Sequence, residues 1–324
     1  MQFMLTPDFP QLPQQLSYAD SVLLTGSCFT EHMHDRLARC RFRVMGNPHG
    51  ILFNPLSVAY SLGRYLSERL YSEDDLFFLN GLWNSWDHHT RFSGPDRQQV
   101  LEGINRSQEA AAAFIRRAGC VIITLGSAFQ YYLKEGNRPV ANNHRAPAQW
   151  FEKRLLETTL ITDTMAGTLE QLFRVNPAAQ VLLTVSPVRH IRDGVVDNNR
   201  SKARLTEAVH ALCDRYAQVH YFPAYELVVD VLRDYRFYDI DMVHPNYLAT
   251  SFVWEQFAAL CITPAAQSVM REVEDIMTAR AHRPRFPETE AHRQFRAAYA
   301  AKTRLLLERH PYLDLQEALD YFNG

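Results

Sequence analysis

Short runs of apolar residues alternate along this chain with stretches in which apolar residues recur every three or four positions. Apolar runs of four to six residues bounded by Gly or Pro are typical of buried strands, and the longer periodic stretches are typical of helices. Five runs predict strands, at residues 21–25, 42–45, 120–125, 180–185 and 219–222. The periodic stretches predict helices at 31–40, 56–70, 107–117, 164–174 and 201–216. This alternation predicts a three-layer α/β/α fold of flavodoxin-like type with a parallel five-stranded sheet.

Two stretches depart from the alternation. Residues 71–94 are rich in Trp, His and Asn and lack a clean period, which indicates an inserted loop or lid. From residue 263 onward the sequence is charged and helical, with a break at 282–287. We therefore expect a sheet domain over residues 1–262 and a helical extension over 263–324. The extension would pack on the sheet domain or join copies of the chain into a homo-oligomer.

Composition narrows the classes of partner. Lys and Arg number 34, Asp and Glu number 36, and the formal charge is -2, so there is no basic surface typical of nucleic-acid or anionic-lipid binding. A small neutral or sugar-like substrate suits this balance better. No apolar run approaches the roughly 20 residues of a membrane span, and residues 1–15 lack the pattern of a secretory signal.

The cysteines are scattered, and no pair has the spacing of metal ligands or of a disulfide framework. We therefore expect reduced thiols, a cytoplasmic protein, and no metal or organic cofactor. The five are Cys28, Cys40, Cys120, Cys213 and Cys261.

A candidate nucleophile follows the first predicted strand, in the turn Gly26-Ser27-Cys28. A nucleophile on a tight turn between a strand and a helix is exposed at the sheet edge, beside the helix N-terminal amides. The alternative is an ordinary strand-to-helix turn in which Gly26 only permits the bend.

A candidate acid–base pair follows the last predicted strand. A carboxylate three residues before a histidine, as in Asp241 and His244, can accept from one ring nitrogen and leave the other free to act as a base. The order nucleophile, Asp, His on an α/β pattern favours a hydrolytic site. His190 follows the fourth strand and belongs to the same sheet edge, either in the site or bonded to backbone.

The segment TGSCFT at residues 25–30 resembles the name-giving motif of the GSCFA-domain family, with Thr30 where the motif has alanine. The resemblance continues through NPHGILFNPLS at 47–57 and through segments 143–147, 184–190, 201–203 and 233–245. The family is similar to SGNH/GDSL hydrolases, which implies a five-stranded parallel sheet between helices. It also implies an esterase or acyltransferase that forms a covalent acyl-enzyme, acting on an O-acylated carbohydrate or a small ester.

The resemblance leaves the nucleophile open between two residues. SGNH enzymes place a nucleophilic serine third in a Gly-Asp-Ser turn, and an ungapped comparison puts Cys28 at that position. A shift of one residue would select Ser27. A cysteine is chemically competent there, because helix N-terminal amides and a nearby histidine favour its thiolate.

The same resemblance implies three donors in an oxyanion hole. These are the amide of the nucleophile, a glycine after the second strand, and an asparagine in a Gly-x-Asn after the third. Gly46 or Gly50 can supply the second donor. The third strand ends in Gly126-Ser127-Ala128, so alanine stands where the asparagine is expected. The residues that can substitute for it are Asn54, Ser127 and Asn143.

Functions from different classes therefore remain. In the first, Cys28 or Ser27 attacks an ester with His244 as base and Asp241 as its partner. In the second, the protein is a non-catalytic module that retains the pocket to bind a glycan or an acyl group. The alanine at position 128 favours binding, whereas the retained Asp-x-x-His favours catalysis. A third is a scaffold that oligomerises through its C-terminal helices.

Overall fold

The computed structural model describes residues 5–324, and its core is a parallel sheet of five strands. The described residues contain ten strands, and five of them form this central sheet. The strands are β1 (Ser21–Gly26), β2 (Arg43–Gly46), β3 (Phe77–Leu79), β4 (Leu82–Asn84), β5 (Cys120–Leu125), β6 (Phe129–Leu133), β7 (Arg138–Val140), β8 (Phe151–Leu155), β9 (Gln180–Val185) and β10 (Val219–Tyr221). Each of the five lies within one residue of its predicted bounds at either end.

The order of the central sheet is β10-β9-β5-β1-β2. Counted along the chain, this is the 2-1-3-4-5 order of flavodoxin-like folds, so the predicted fold class is confirmed. The order reverses between β1 and β5. In such sheets ligands bind beyond the carboxyl ends of the strands near that reversal.

Helices cover both faces of the sheet. They are α1 (Cys28–Arg39), α2 (Pro55–Ser67), α3 (Arg97–Ile115), α4 (Thr158–Val175), α5 (Val195–Arg215), the short α6 (Ala224–Glu226) that continues as a π-helical turn (Leu227–Leu232), α7 (Tyr247–Cys261), α8 (Pro264–Ala281), α9 (Glu290–Arg309) and α10 (Gln316–Asn323). Several begin earlier than predicted. Helix α3 starts ten residues before the predicted position, because the Asp96 carboxylate accepts from the Gln99 amide and caps it.

Alternate strand residues point to opposite faces, and both faces are buried. One face packs on α1, α6 and α7 through Val22, Leu24, Cys120, Ile122 and Leu182. The other packs on α2, α3, α4 and α5 through Leu23, Val121, Ile123, Val181 and Leu183. Because both faces of this sheet are buried, its strands are apolar runs without alternation. Such runs can be recognised in the sequence.

Two excursions leave the central sheet. Strands β3 and β4 form an antiparallel hairpin within residues 71–94, and Trp86 of this stretch stacks on Phe77 with ring centroids 3.6 Å apart. Strands β7, β6 and β8 form a separate antiparallel sheet between β5 and α4, which the sequence pattern did not predict. This second sheet becomes a wall of the candidate site.

The C-terminal helices have a core of their own. It is built from α8, α9 and α10 around Val273, Ile276, Leu306 and Leu315. Helix α8 also reaches the main core through Ala266 and Met270. Within residues 5–324, no helix has both the length and the apolar character needed to cross a membrane.

Candidate active site

A cavity of about 630 Å³ lies at the carboxyl edge of the sheet. One wall comes from the β6–β8 sheet, a second from the loop after β9, and a third from the loop before α7. The Lys153–Asp193 ion pair joins the first two walls. The predicted site residues that line the cavity are Cys28, Asn54, Ser127, Asn143, His190, Asp241 and His244. A separate cavity of about 590 Å³ beside β10 contains none of them.

The turn that carries Cys28 depends on Gly26. This glycine has φ +137°, and a Cβ placed on it would lie 2.1 Å from the Thr124 carbonyl oxygen, so no side chain fits. Its amide donates to Asn47 Oδ1 at 2.9 Å, and the next amide, of Ser27, donates to the Thr124 carbonyl at 3.0 Å. The strand therefore turns sharply into α1, and Cys28 becomes the first residue of that helix.

The two candidate nucleophiles have different surroundings. Ser27 is 0% exposed and does not line the cavity, and its Oγ is buried without a hydrogen-bond partner among residues 5–324. Cys28 is half-buried and faces the cavity. The cavity geometry therefore favours Cys28 as the residue that a substrate can reach.

The environment of Cys28 does not favour a resting thiolate as strongly as the sequence led us to expect. Burial raises the pKa of its thiol, and Glu31 raises it further. The amides of Phe29 and Cys28 and the charge of Lys202 act in the opposite direction and lower that pKa. Since the raising contributions are larger, Cys28 requires a base to become a nucleophile.

Asp241 and His244 form the contact that their spacing leads us to expect. Asp241 Oδ2 lies 2.6 Å from His244 Nδ1, while Oδ1 accepts from the amides of Val243 and His244. These bonds lower the pKa of Asp241 to about 2, with the His244 side chain as the largest cause. An ionised Asp241 accepts the Nδ1 proton, which leaves His244 Nε2 as the nitrogen able to take a proton.

The loop that holds the pair is fastened to the rest of the site. The Arg189 amide donates to the Val243 carbonyl at 3.1 Å, and the Asp239 amide donates to the His244 carbonyl at 2.8 Å. His244 and Cys28 line the same cavity, but among the described residues no hydrogen bond joins His244 to Cys28 or to Ser27. Apo active sites often have such open geometry, which tightens when substrate binds.

His190 supplies a second imidazole to the cavity. Its backbone amide donates to Asn198 Oδ1 at 2.9 Å, and its ring packs edge-on against Phe53. Burial is the main cause that lowers the pKa of His190 to about 4, with a further contribution from Lys202. Its Nε2 is buried without a partner in the described part of the chain. Such an orphaned polar atom beside a cavity marks a position where a ligand or water can bond.

The predicted oxyanion donors divide into two groups. Gly46, Gly50 and Gly126 do not line the cavity. The Gly50 amide donates to the Asn47 carbonyl at 2.7 Å, and the Gly126 amide donates to the Phe53 carbonyl at 2.8 Å. The Gly50 N–H thus closes the turn after β2, and the Gly126 N–H is likewise bonded to backbone. Gly46 ends β2 at the sheet edge, against the ring of His34.

Asn54, unlike these glycines, lines the cavity and has a side-chain amide that can donate to an oxyanion. It is 5% exposed, lines the cavity, and its Oδ1 is fixed because it accepts from the Ser57 amide at 2.8 Å as the N-cap of α2. Its Nδ2 forms no hydrogen bond with another described residue. Asn143 also lines the cavity, but on the β7 side.

Ser127 has a structural partner. Its Oγ lies 3.4 Å from Ser201 Oγ and accepts from the Phe129 amide at 3.1 Å, while the Ala128 amide donates to Ser201 Oγ at 2.7 Å. Sequence reasoning missed this part of the site. Asn198, Ser201 and Lys202 lie at i, i+3 and i+4 on the buried stripe of α5, and polar residues on a core-facing stripe were the signal that could have revealed them.

Comparisons with known proteins give family matches over most of the chain. The GSCFA family model matches residues 21–257, which include the whole central sheet, and the model of the GSCFA domain protein C-terminal domain matches residues 273–324. No curated protein matches the chain. A similar solved structure is an acetyl xylan esterase (Est2A) from the rumen bacterium Butyrivibrio proteoclasticus, with 10% identity and a TM-score of 0.37. The match covers 75% of this chain and 63% of that protein.

Proposed function

This chain belongs to the GSCFA family, and from that premise we propose that it is an acyl hydrolase or acyltransferase with Cys28 as its nucleophile. One observation carries the proposal: Cys28 and the Asp241–His244 pair line one cavity at the carboxyl edge of the sheet. A thiol, a histidine and a carboxylate that orients the histidine are the groups that covalent acyl transfer requires.

The proposed reaction has two halves. Cys28 Sγ attacks the carbonyl carbon of an ester while its proton passes to His244 Nε2, and the carbonyl electrons move to oxygen. The tetrahedral intermediate then expels the alcohol, which takes the proton from His244 and leaves a thioester on Cys28. Water, or the hydroxyl of an acceptor, attacks this thioester with His244 again as base. The acyl product leaves, and the Cys28 thiol is restored.

Asp241 would hold His244 in the productive tautomer and stabilise the imidazolium that forms. Its low pKa keeps it ionised throughout the neutral range. Because burial raises the pKa of Cys28, the thiol would be deprotonated during attack rather than beforehand.

The oxyanion would be held by the amide of Cys28 at the helix N-terminus and by Asn54 Nδ2. The segment that carries Asn54 is bound against the nucleophile turn, since the Leu52 amide donates to the Gly26 carbonyl at 2.9 Å. Asn54 would then supply the donor that alanine at position 128 lacks.

The lining of the cavity supports a small polar ester as substrate. It contains the side-chain amides of Asn54, Asn142 and Asn143 together with the rings of Phe53 and Tyr131. Amides that bond hydroxyls and rings that cover the apolar face of a sugar suit an O-acylated carbohydrate.

The direct test is hydrolysis of p-nitrophenyl acetate and butyrate and of O-acetylated monosaccharides, with mass spectrometry of the Cys28 peptide. We expect turnover and an acyl adduct on Cys28.

Asp241→Asn is expected to lower kcat for ester hydrolysis by about 10²- to 10⁴-fold. The new amide still accepts from the two loop amides, but it donates to His244 Nδ1 and so places the ring proton on Nε2. Both side chains are nearly half exposed, so the melting temperature should change little. Steady-state kinetics and a thermal melt check this, and an unchanged kcat would remove Asp241 from the mechanism.

Asn54→Ser is expected to lower kcat by about 10²- to 10³-fold, the usual effect of losing one oxyanion donor. Serine can still cap α2, so the fold should be retained. Asn143→Ala is the matched control and should mainly change KM, because Asn143 lines the cavity from the loop after β7, a different segment from those that carry Cys28 and Asn54. If Asn143→Ala instead removes kcat and Asn54→Ser does not, the donor is Asn143.

A second function is favoured by a specific observation. His244 is not hydrogen-bonded to Cys28 among the described residues, and the Gly-x-Asn asparagine is replaced by alanine. A module that binds a glycan or acyl group without turnover would need neither feature. Calorimetry with unreactive glycans would detect it, and saturable binding without any hydrolysis or adduct would favour this function over catalysis.

A further inference from the structure

Lys202 is a buried lysine behind the nucleophile turn that the mechanism above does not use. It is 2% exposed, and its Nζ donates to the carbonyls of Gly126 and Ser186, each at 2.7 Å. Those carbonyls end the neighbouring strands β5 and β9. One ammonium group therefore ties together two strand ends at the sheet edge where the cavity opens.

The position of Gly126 relates this ammonium to the nucleophile turn. A Cβ on Gly126 would lie 3.2 Å from Ser27 Cβ and 3.4 Å from His190 Nε2. The carbonyl that Lys202 holds thus belongs to a residue packed directly against the turn. The Gly126 and Ser127 amides both donate to the Phe53 carbonyl, which fixes this residue from its other side.

Lys202 has no carboxylate partner within residues 5–324, and its two acceptors are neutral carbonyls. A buried cation is unfavourable without a compensating negative charge. Burial accordingly lowers the pKa of Lys202 to about 7, while an anionic Cys28 would raise it again. A neutral Cys28 offers Lys202 no counter-ion, whereas an anionic Cys28 raises the pKa of Lys202 and so favours its ammonium form.

The titratable groups around this charge lie on three elements. Cys28 lies on α1, where Glu31 acts on Cys28 and raises its pKa, and His190 lies on the loop after β9. Tyr225 lies on α6, with its ring centroid 5.9 Å from Lys202 Nζ. The Lys202 charge lowers the pKa of both Cys28 and His190. Of these groups, Cys28 is the one on which the proposed reaction places a negative charge.

We propose that Lys202 is a positioning residue whose buried ammonium group stabilises the negative charge that develops at the Cys28 turn, on the sulfur during attack and then on the oxyanion of the substrate. This inference rests on the proposed role of Cys28 as nucleophile. The charge matters, in addition to the hydrogen bonds, because the carbonyls alone could be satisfied by any neutral donor. Ser201, one residue earlier on α5, makes an uncharged bond of the other direction: its Oγ accepts from the Ala128 amide.

The test measures the reactivity of Cys28 and does not require ester turnover. The rate at which iodoacetamide alkylates Cys28 is followed against pH by peptide mass spectrometry in the full-length protein. In Lys202→Met the midpoint of this profile is expected to move up by about one pH unit, which makes alkylation about tenfold slower at a fixed pH below the midpoint. Ser201→Ala is the matched control, since it removes a neutral bond from the same helix face, and it should leave the midpoint unchanged.

Lys202→Gln provides a second comparison should the methionine variant not fold, because glutamine keeps a donor for the carbonyls and removes the charge. The same upward shift is expected. An unchanged midpoint in the folded Lys202 variant, or an equal shift in Ser201→Ala, would overturn the role of the charge. Ester turnover measured in parallel separates the two proposals: a shifted midpoint without hydrolysis contradicts the esterase function alone, and hydrolysis without a shift contradicts the role of Lys202 alone.

Discussion

Cys28→Ala is expected to abolish ester hydrolysis, with a fall in kcat of about 10³-fold or more, while the protein remains folded. The sulfur is the group that would bond the acyl carbon, and no neighbouring side chain on the cavity can replace it in that position. Ser27→Ala is expected to keep most of the activity. The Ser27 hydroxyl is fully buried and unpartnered, so its removal leaves no other group without a bond.

Selective alkylation provides an independent check on the same residue. Burial raises the pKa of all five thiols, to about 12 for Cys120 and about 11 for Cys213. Cys28 differs because it faces the site cavity and has amides and a lysine that favour its thiolate. Iodoacetamide should therefore modify Cys28 first, and Cys213 next. Activity that survives Cys28→Ala but is lost in Ser27→Ala, with labelling of Ser27 by a fluorophosphonate, would reverse the assignment.

The central sheet could be predicted because burial on both faces leaves a simple signature. A strand covered by helices on each side is apolar at most positions, and β5 and β9 have the bounds that their apolar runs predict. The turn after β1 was also visible, since Gly26 stands where a strand ends. The start of α1 was misplaced because Ser27 and Cys28 were assigned to the turn, whereas Cys28 already belongs to the helix.

The walls of the site were not predictable in the same way. Strands β6–β8 are short and interrupt their apolar residues with polar and charged ones, and their buried Gln130 contributes through a bond to the Val140 carbonyl, which no hydropathy pattern records. At the start of α5, a stripe of buried polar residues concealed the helix from the hydropathy pattern. Asn198, Ser201 and Lys202 interrupt the apolar period, so the helix was predicted from Ser201 onward and its first turns were missed. In both places, polar residues pack inward because strand ends and loops at the site need bonding partners.

A buried polar network holds the insertion at residues 71–94 in place. The spacing of apolar residues does not predict its structure. His49 lies beneath this segment, with Nδ1 2.7 Å from the Tyr65 hydroxyl and Nε2 2.8 Å from the Tyr71 hydroxyl. The ring of His88 stacks on it at 4.1 Å. The His89 amide also donates to the His49 carbonyl at 2.9 Å. The insertion is thus fastened to the loop after β2, next to Asn54 and the candidate site.

This network leads to a prediction for stability against pH. Burial lowers the pKa of His49 to about 3 and that of His88 well below its usual range. The unfolded chain binds these protons near pH 6.5, so the full stability is present above that pH and is lost as the pH falls towards the folded-state value. The free energy of unfolding is expected to fall by about 1.4 kcal/mol per pH unit for each histidine that stays neutral. Urea unfolding at pH 7, 6 and 5 measures this slope.

His49→Gln is expected to reduce the acid slope by about 1.4 kcal/mol per pH unit, the contribution of one histidine, and to lower stability at pH 7 by about 1–3 kcal/mol, because a buried tyrosine hydroxyl loses its partner. His282→Gln is the matched control: His282 is exposed, and its replacement should leave the slope unchanged. A free energy of unfolding that stays constant between pH 7 and pH 5 would mean that the pair accepts protons within the folded state. Ester hydrolysis is measured at the same pH values, because the insertion is bonded to the loop after β2 and that loop ends at Asn54. If kcat falls at a pH where the sheet is still folded and this fall is absent in His49→Gln, protonation of this network releases the insertion before the core unfolds.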